Sequence, residues 1–227
     1  MFRVMVVTNR LRLLDARQGP ENQVLPRLVA QVAGALAGGA DLVYLREPDL
    51  GVRDLMRVVA AIRERVPDAG QRLVVRDRVD VALTLGTGVH IPERGMSVPQ
   101  VRALRGGVAT SLVLGRSVHD VASAEASRGA SYLLAGTVKA TRSKPGLTDT
   151  LGFGGLRAIC AAVPETPVLG IGGLGVEDIA DLRRAGAKGV AGIGLFIPSH
   201  ACTEISEWTR ERVCLVKRGI DSVGRAP

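Results

Sequence analysis

One alternation constrains this chain more than any other feature. Short, continuously apolar runs are separated by stretches of helical spacing from one end to the other. The runs fall at residues 4–8, 42–46, 73–77, 88–91, 111–114, 132–135, 167–170 and 189–191. Short runs without polar alternation suit strands buried on both faces, as parallel strands are. Between them, Leu25, Leu28, Val29, Val32, Ala33 and Leu36 repeat at helical spacing, and Pro26 is tolerated in the first turn. Val52, Leu55, Met56, Val59 and Ile62 do the same, as do Val176, Ile179 and Ala180 with Leu182 alongside. Strand–helix alternation without a break in composition predicts one α/β domain.

Eight runs predict a (β/α)₈ TIM barrel. The 227 residues come close to the roughly 250 that such a barrel needs. Three helix ends carry related punctuation: Gly39-Ala40-Asp41, Gly129-Ala130-Ser131 and Gly186-Ala187-Lys188. Glycine suits the left-handed residue that closes a helix. A doubly wound open sheet is the alternative, and the lack of a glycine-rich phosphate loop after the first run counts against it. Residues 1–218 are expected to form the barrel, with a last helix over 204–218. Residues 219–227 are expected to be a frayed, flexible tail.

Apolar residues make up 46% of the chain and aromatics only 3%, so Val, Leu, Ile and Ala must fill the core. The net charge of +8 comes mostly from arginines scattered between apolar positions, with no dense basic run. With so few rings for base stacking, this argues against nucleic acid and suits an anionic metabolite. Cys160, Cys202 and Cys214 are widely spaced, form no metal pattern and fit a reducing cytoplasm. The opening residues are too short for a secretory apolar core, and no window reaches the roughly 20 apolar residues of a membrane span. The expectation is a soluble, cytoplasmic protein, with homo-oligomer formation left open.

Chemistry concentrates late in the chain. Gly170-Ile171-Gly172-Gly173 follows the seventh run, and Gly192-Ile193-Gly194 follows the eighth. Glycines there let backbone N–H groups approach an anion. In barrels, the loops after strands seven and eight often hold phosphate, with help from a helix N-terminus beyond. Thr141-Arg142-Ser143-Lys144-Pro145-Gly146 follows the sixth run; its hydroxyls and cations can wrap phosphate or pyrophosphate.

Six motifs stand in register along the chain. They are Tyr44-Leu45-Arg46-Glu47, Arg76-Asp77-Arg78-Val79-Asp80-Val81-Ala82, Gly88-Val89-His90 and Gly115-Arg116-Ser117-Val118-His119. Gly136 with Thr141-Arg142-Ser143-Lys144, and Gly170-Ile171-Gly172-Gly173, complete the set. Together they resemble the family of thiamine-phosphate synthase and its sister enzyme, thiazole tautomerase, over residues 4–196. The resemblance implies a barrel that binds a phosphorylated thiazole. The synthase also takes a pyrimidine diphosphate and, with Mg²⁺ assisting, expels pyrophosphate so that the thiazole nitrogen can attack. The tautomerase moves a proton to aromatise a thiazole carboxylate phosphate and requires no cofactor.

The resemblance places Ser117, Thr141, Ser143 and Lys144 on pyrophosphate. It places Gly172, Gly173, Ile193 and Gly194 on the thiazole phosphate. Tyr44, Arg46, Arg76 and Thr137 fall among the substrate-binding positions, and Asp77 falls on a metal position. The chain departs from the synthase pattern at Tyr44 for Gln, Pro48 for Lys and Arg76 for Asn. It also lacks a second acid near Gly95, with Glu93 as a displaced partner. The catalytic His of the tautomerase falls at Thr137, which cannot shuttle a proton as imidazole can. His119 and Glu47 are therefore the candidate catalytic groups, with His90 as the other available histidine. Local pattern places a tautomerase-like enzyme first and the synthase second. A phosphate-ligand sensor without chemistry is the reading from another class.

Overall fold

The computed structural model describes residues 3–13, 23–104, 112–141, 149–198, 202 and 204–223. Eight strands run in chain order: β1 (Val4–Val7), β2 (Leu42–Leu45), β3 (Leu73–Arg76), β4 (Gly88–Ile91), β5 (Leu114–Val118), β6 (Tyr132–Gly136), β7 (Val168–Ile171) and β8 (Gly189–Gly192). Each pairs in parallel with the next, and β8 pairs with β1, so the sheet closes into a barrel. The helices are α1 (Arg10–Leu13), α2 (Val24–Ala37), α3 (Val52–Arg65), α4 (Val79–Leu85), α5 (Val98–Leu104), α6 (Val121–Ala126), α7 (Gly152–Ala162), α8 (Ile179–Arg184) and α9 (Ile205–Val223).

Successive strand side chains face opposite sides. On β1, Met5 and Val7 join an inner cluster with Leu42, Tyr44, Val74, Tyr132, Leu134, Leu169 and Ala191. Val4 and Val6 belong instead to the larger cluster that includes Leu28, Val32, Val59, Ile62, Leu156 and Ile159 from the helices. Branched aliphatics fill both layers, as the composition requires. The glycines at the three repeated helix ends are left-handed, with φ of 83°, 85° and 89° at Gly39, Gly129 and Gly186.

Two elements differ from expectation by more than one residue. The fifth strand was expected at 111–114 and lies at Leu114–Val118. Gly115, Arg116 and Ser117 interrupt the apolar run yet belong to the strand. Gly115 faces inward, where a Cβ would lie 2.1 Å from Tyr132 Cζ and 2.6 Å from His90 Nδ1. Arg116 faces outward and holds the loop after β4 by its carbonyls. The shift moves Ser117 from a loop onto the strand's rim.

The last helix continues past Arg218 to Val223. Val213, Val216 and Ile220 recur at helical spacing and are buried, so the segment after 218 is held by the core. Residues 224–227 lie outside the described residues. Ile220→Ala should therefore cost about 2–5 kcal/mol of unfolding free energy, the usual loss for a buried aliphatic cut to Ala. Urea denaturation measures it; a loss under about 0.5 kcal/mol, typical of an exposed site, would restore the frayed tail.

Candidate functional site

Parallel closure brings the C-terminal ends of all eight strands to one rim. β7 and β8 are neighbours, with Ile171 opposite Ala191, so their two glycine turns stand side by side. Gly172 and Gly173 have φ of 99° and 67°. A Cβ on Gly172 would meet Thr137 Cγ2 at 2.5 Å, and one on Gly173 would meet Ala140 O at 2.4 Å. Only glycine makes this turn. The loop after β6 is bound to it, since Val138 N donates to Ile171 O (2.9 Å) and Lys139 N to Gly172 O (3.0 Å). Among the described residues, the amides of Gly172, Gly173, Ile193 and Gly194 make no hydrogen bond. Backbone N–H groups in glycine turns of this kind are a chemistry that suits an anion.

The expected help from helix ends is small. Both turns lead into short 3₁₀ segments, Val176–Asp178 and Gly194–Phe196. The first is capped internally: Asp178 Oδ2 accepts from Gly175 N at 2.9 Å, and the same carboxylate pairs with Lys139 Nζ at 2.9 Å.

The middle of the mouth is a buried polar column. His90, on β4, lies with Nε2 2.8 Å from Ser117 Oγ and Nδ1 3.1 Å from Tyr132 Oη. Its ring meets that of Tyr44 with centroids 4.7 Å apart. Burial, then the positive charges of Arg116 and Arg76, pulls the His90 imidazole down to about 3. Burial likewise pushes the Tyr44 phenol up to about 12 and that of Tyr132 well above its ordinary value. The positive charges of Arg76 and Arg46 oppose part of the rise at Tyr44, and Arg46 follows Leu45, the last residue of β2. Neither guanidinium forms an ion pair among the described residues.

The two candidate catalytic groups fare differently. Glu47 is buried and fully engaged. Thr8 Oγ1 donates to it at 2.6 Å, Arg10 N at 3.1 Å and Arg10 Nη1 at 3.1 Å. The same Arg10 grips Asp49 with both terminal nitrogens. With its lone pairs engaged, Glu47 anchors the loop after β1 rather than standing open as a base. Its ion-pair partner is Arg10, although Arg46 is its neighbour in sequence. His119 stands half-exposed at the rim; Nδ1 bonds the carbonyl of Gly136, and Nε2 lies 3.8 Å from Glu93 Oε2. Thr137 is buried against the β7 turn. Thr141 is described, whereas Ser143 and Lys144 lie outside the described residues.

Asp77 ends β3 with φ of 55°, its amide donating to His90 O at 2.9 Å. Its carboxylate faces Gly95, where a Cβ would lie 3.0 Å from Oδ1. Glu93 turns toward His119 instead. Among the described residues no three His, Cys, Asp or Glu gather as a metal site. Mg²⁺ often keeps only one or two protein carboxylates and takes its other ligands from water and substrate phosphates. Asp77 fits such a one-carboxylate site.

Sequence reasoning missed Arg116 and Tyr132. Arg116 donates to Pro92 O at 2.9 Å, Met96 O at 2.7 Å and Glu93 O at 3.1 Å, which fixes the loop over Asp77. An arginine inside an apolar strand was the available signal. Tyr132 carried none, since a tyrosine opening a strand reads as ordinary core.

Fold and site together define a β/α barrel with two glycine turns side by side at its β7–β8 rim. A family model described as thiamine monophosphate synthase matches residues 19–196. The chain is 41% identical over 183 residues to a thiamine-phosphate synthase of Moorella thermoacetica, covering 80% of this chain and 86% of that one. It is 37% identical to one from Methanoculleus marisnigri, with 81% and 86% covered. A solved thiamine phosphate pyrophosphorylase from Pyrococcus furiosus superposes with a TM-score of 0.73 at 28% identity, covering 98% and 96%. This chain belongs to the thiamine monophosphate synthase family and is an enzyme of thiamine biosynthesis. No helix among the described residues is long and apolar enough to cross a membrane.

Two outcomes follow. Gly173→Ala should weaken inorganic phosphate binding about tenfold or more, because the added Cβ collides with Ala140 O and the turn loses its left-handed conformation. Isothermal titration reads this out, and unchanged affinity would remove the turn from the anion site. The second concerns acid. His90 binds a proton more readily unfolded, near 6.5, than folded, near 3. Its contribution is therefore whole above about pH 6.5 and is lost as pH falls toward 3, since the unfolded chain takes up the proton first. His90→Gln should flatten the fall in stability over that window by close to one proton, measured by urea melts from pH 7 to 4; an unchanged slope would contradict it.

Proposed function

We propose that this chain is a thiamine-phosphate synthase, joining hydroxymethylpyrimidine diphosphate to thiazole phosphate with loss of pyrophosphate. One observation supports the reading: two sets of polar groups follow neighbouring strands of the barrel, with Ser117 on β5 and Thr141 in the loop after β6, and the unpaired amides in the turns after β7 and β8. Two sets suit two phosphorylated substrates, whereas a tautomerase needs one. The names borne by the relatives support the same choice.

The thiazole phosphate sits on the amides of Gly172, Gly173, Ile193 and Gly194. Ser117 and Thr141, with Ser143 and Lys144 as the sequence motif suggests, hold the diphosphate. The pyrimidine lies toward Tyr44, Arg46 and Arg76, with Thr137 between the two substrates. The bond from the pyrimidine methylene carbon to the diphosphate oxygen breaks, and its electron pair leaves with pyrophosphate. The thiazole nitrogen then gives its lone pair to the same carbon. Holding both partners in one mouth makes the second step effectively unimolecular. Mg²⁺ at Asp77 supplies positive charge to the departing diphosphate when bound.

His119 keeps the tautomerase reading second. Its imidazole reaches the rim beside Glu93, where it could accept a proton. Purified protein with both substrates and Mg²⁺ is expected to release thiamine phosphate and pyrophosphate, followed by chromatography. No thiamine phosphate, but aromatisation of the thiazole carboxylate phosphate that is lost in His119→Ala, would replace the synthase with the tautomerase. Thiazole phosphate binding without either reaction would make the chain a sensor.

A further inference from the structure

The polar column under the mouth has a direction. A neutral imidazole has one donor nitrogen and one acceptor nitrogen, so His90 must donate on one side and accept on the other. Its two neighbours are a phenol at 3.1 Å from Nδ1 and an aliphatic hydroxyl at 2.8 Å from Nε2. A phenolic O–H is intrinsically a stronger hydrogen-bond donor than an aliphatic hydroxyl. Tyr132 O–H therefore donates to Nδ1, and Nε2–H donates to Ser117 Oγ. With a lone pair of Oγ occupied from below, the Ser117 proton is free to point over the rim. In the opposite tautomer Ser117 would spend its proton on His90 and show an anion only lone pairs.

We propose that His90 is a positioning residue that, through Nε2–H, holds Ser117 as a hydrogen-bond donor to an anionic phosphoryl oxygen at the barrel mouth. The column is built for this. Gly115 lies between Tyr132 and His90, and any Cβ there would collide with both side chains. Tyr44 covers the ring on one side. Both tyrosines of the chain, Tyr44 and Tyr132, place their rings against this one histidine. The identity of the anion, the diphosphate, rests on the synthase reading; the proton order rests on the geometry.

Side-chain ¹⁵N–¹H correlation spectra of the full chain test the order, with the His90 signals assigned by their loss in His90→Gln. The Nε2–H tautomer is expected, and Tyr132→Phe should shift it toward a mixture. Titration with inorganic pyrophosphate tests the consequence. Ser117→Ala and His90→Leu should each weaken binding about tenfold or more, the usual worth of a hydrogen bond to a charged group. The double variant should be no weaker than Ser117→Ala alone. His90→Gln, whose amide can stand in for Nε2–H, should recover most of the affinity and guards against misfolding in the Leu variant. An Nδ1–H tautomer, or additive losses in the double variant, would overturn the inference. Full affinity in His90→Leu with loss in Ser117→Ala would overturn it while sparing the diphosphate placement. Full affinity in Ser117→Ala would sink both.

Discussion

Closure of the sheet between β1 and β8 is the constraint on which the site depends. Val190 N donates to Arg3 O at 2.9 Å, and Val4, Met5 and Val6 stand opposite Val190, Ala191 and Gly192. Left open, β1 and β8 would be exposed edges at opposite ends of the sheet. The unpaired amides after β7 and β8 would then lie far from Tyr44, Arg46 and Asp77. Closed, β8 touches both β7 and β1, and side chains remote in sequence share one rim. The chemistry needs no special loop to join the two halves, because the hydrogen-bond ladder has already joined them.

Closure also creates an interior, and that interior is mixed in character. Its lower part is apolar, with Met5, Leu42, Val74, Leu134 and Leu169 in contact. Tyr132 belongs to the same cluster, and its Oη joins His90 and Ser117 in a polar chain. A phenol or imidazole placed there without a partner would cost a few kcal/mol. Their mutual hydrogen bonds offset this, and they tie the position of each to the next. The neutral state of His90 follows from the same setting: buried and flanked by arginines, it has no carboxylate partner that would favour a charge. A charged imidazole would be a donor on both sides and would erase the direction of the column.

The barrel was legible because its signals are local. Continuous apolar runs, helical spacing and left-handed glycines at Gly39, Gly129 and Gly186 are properties of short windows. The glycine turn at Gly172 and Gly173 was legible for the same reason. What failed was whatever a window cannot hold. The fifth strand was misplaced because Gly115 and Arg116 are chosen by neighbours on other elements, Tyr132 and the loop after β4. Glu47 stood in the sequence as a candidate base with Arg46 as its neighbour, yet the pairing of β1 with β2 delivers Thr8 and Arg10 to it from the loop after β1 and the start of α1. His90 was visible as a residue, but its role depends on a tyrosine forty-two positions away.

The two halves of the rim thus rest on different physics. At β7 and β8 the rim offers peptide N–H groups, whose main demand on sequence is that no Cβ obstruct the turn. At β2 and β3 the rim is made of side chains, Tyr44, Arg46, Arg76 and Asp77, of which Tyr44 is buried in the inner cluster and Asp77 holds a left-handed φ of 55°. The chain departs from its family's synthase pattern on this second half, while the glycine turn of the first half is kept. Such a division lets side-chain recognition on one half of the rim change while the backbone turn on the other half stays fixed. Ser117 sits at the seam, on β5, where its hydroxyl answers to the buried column below rather than to either half of the rim.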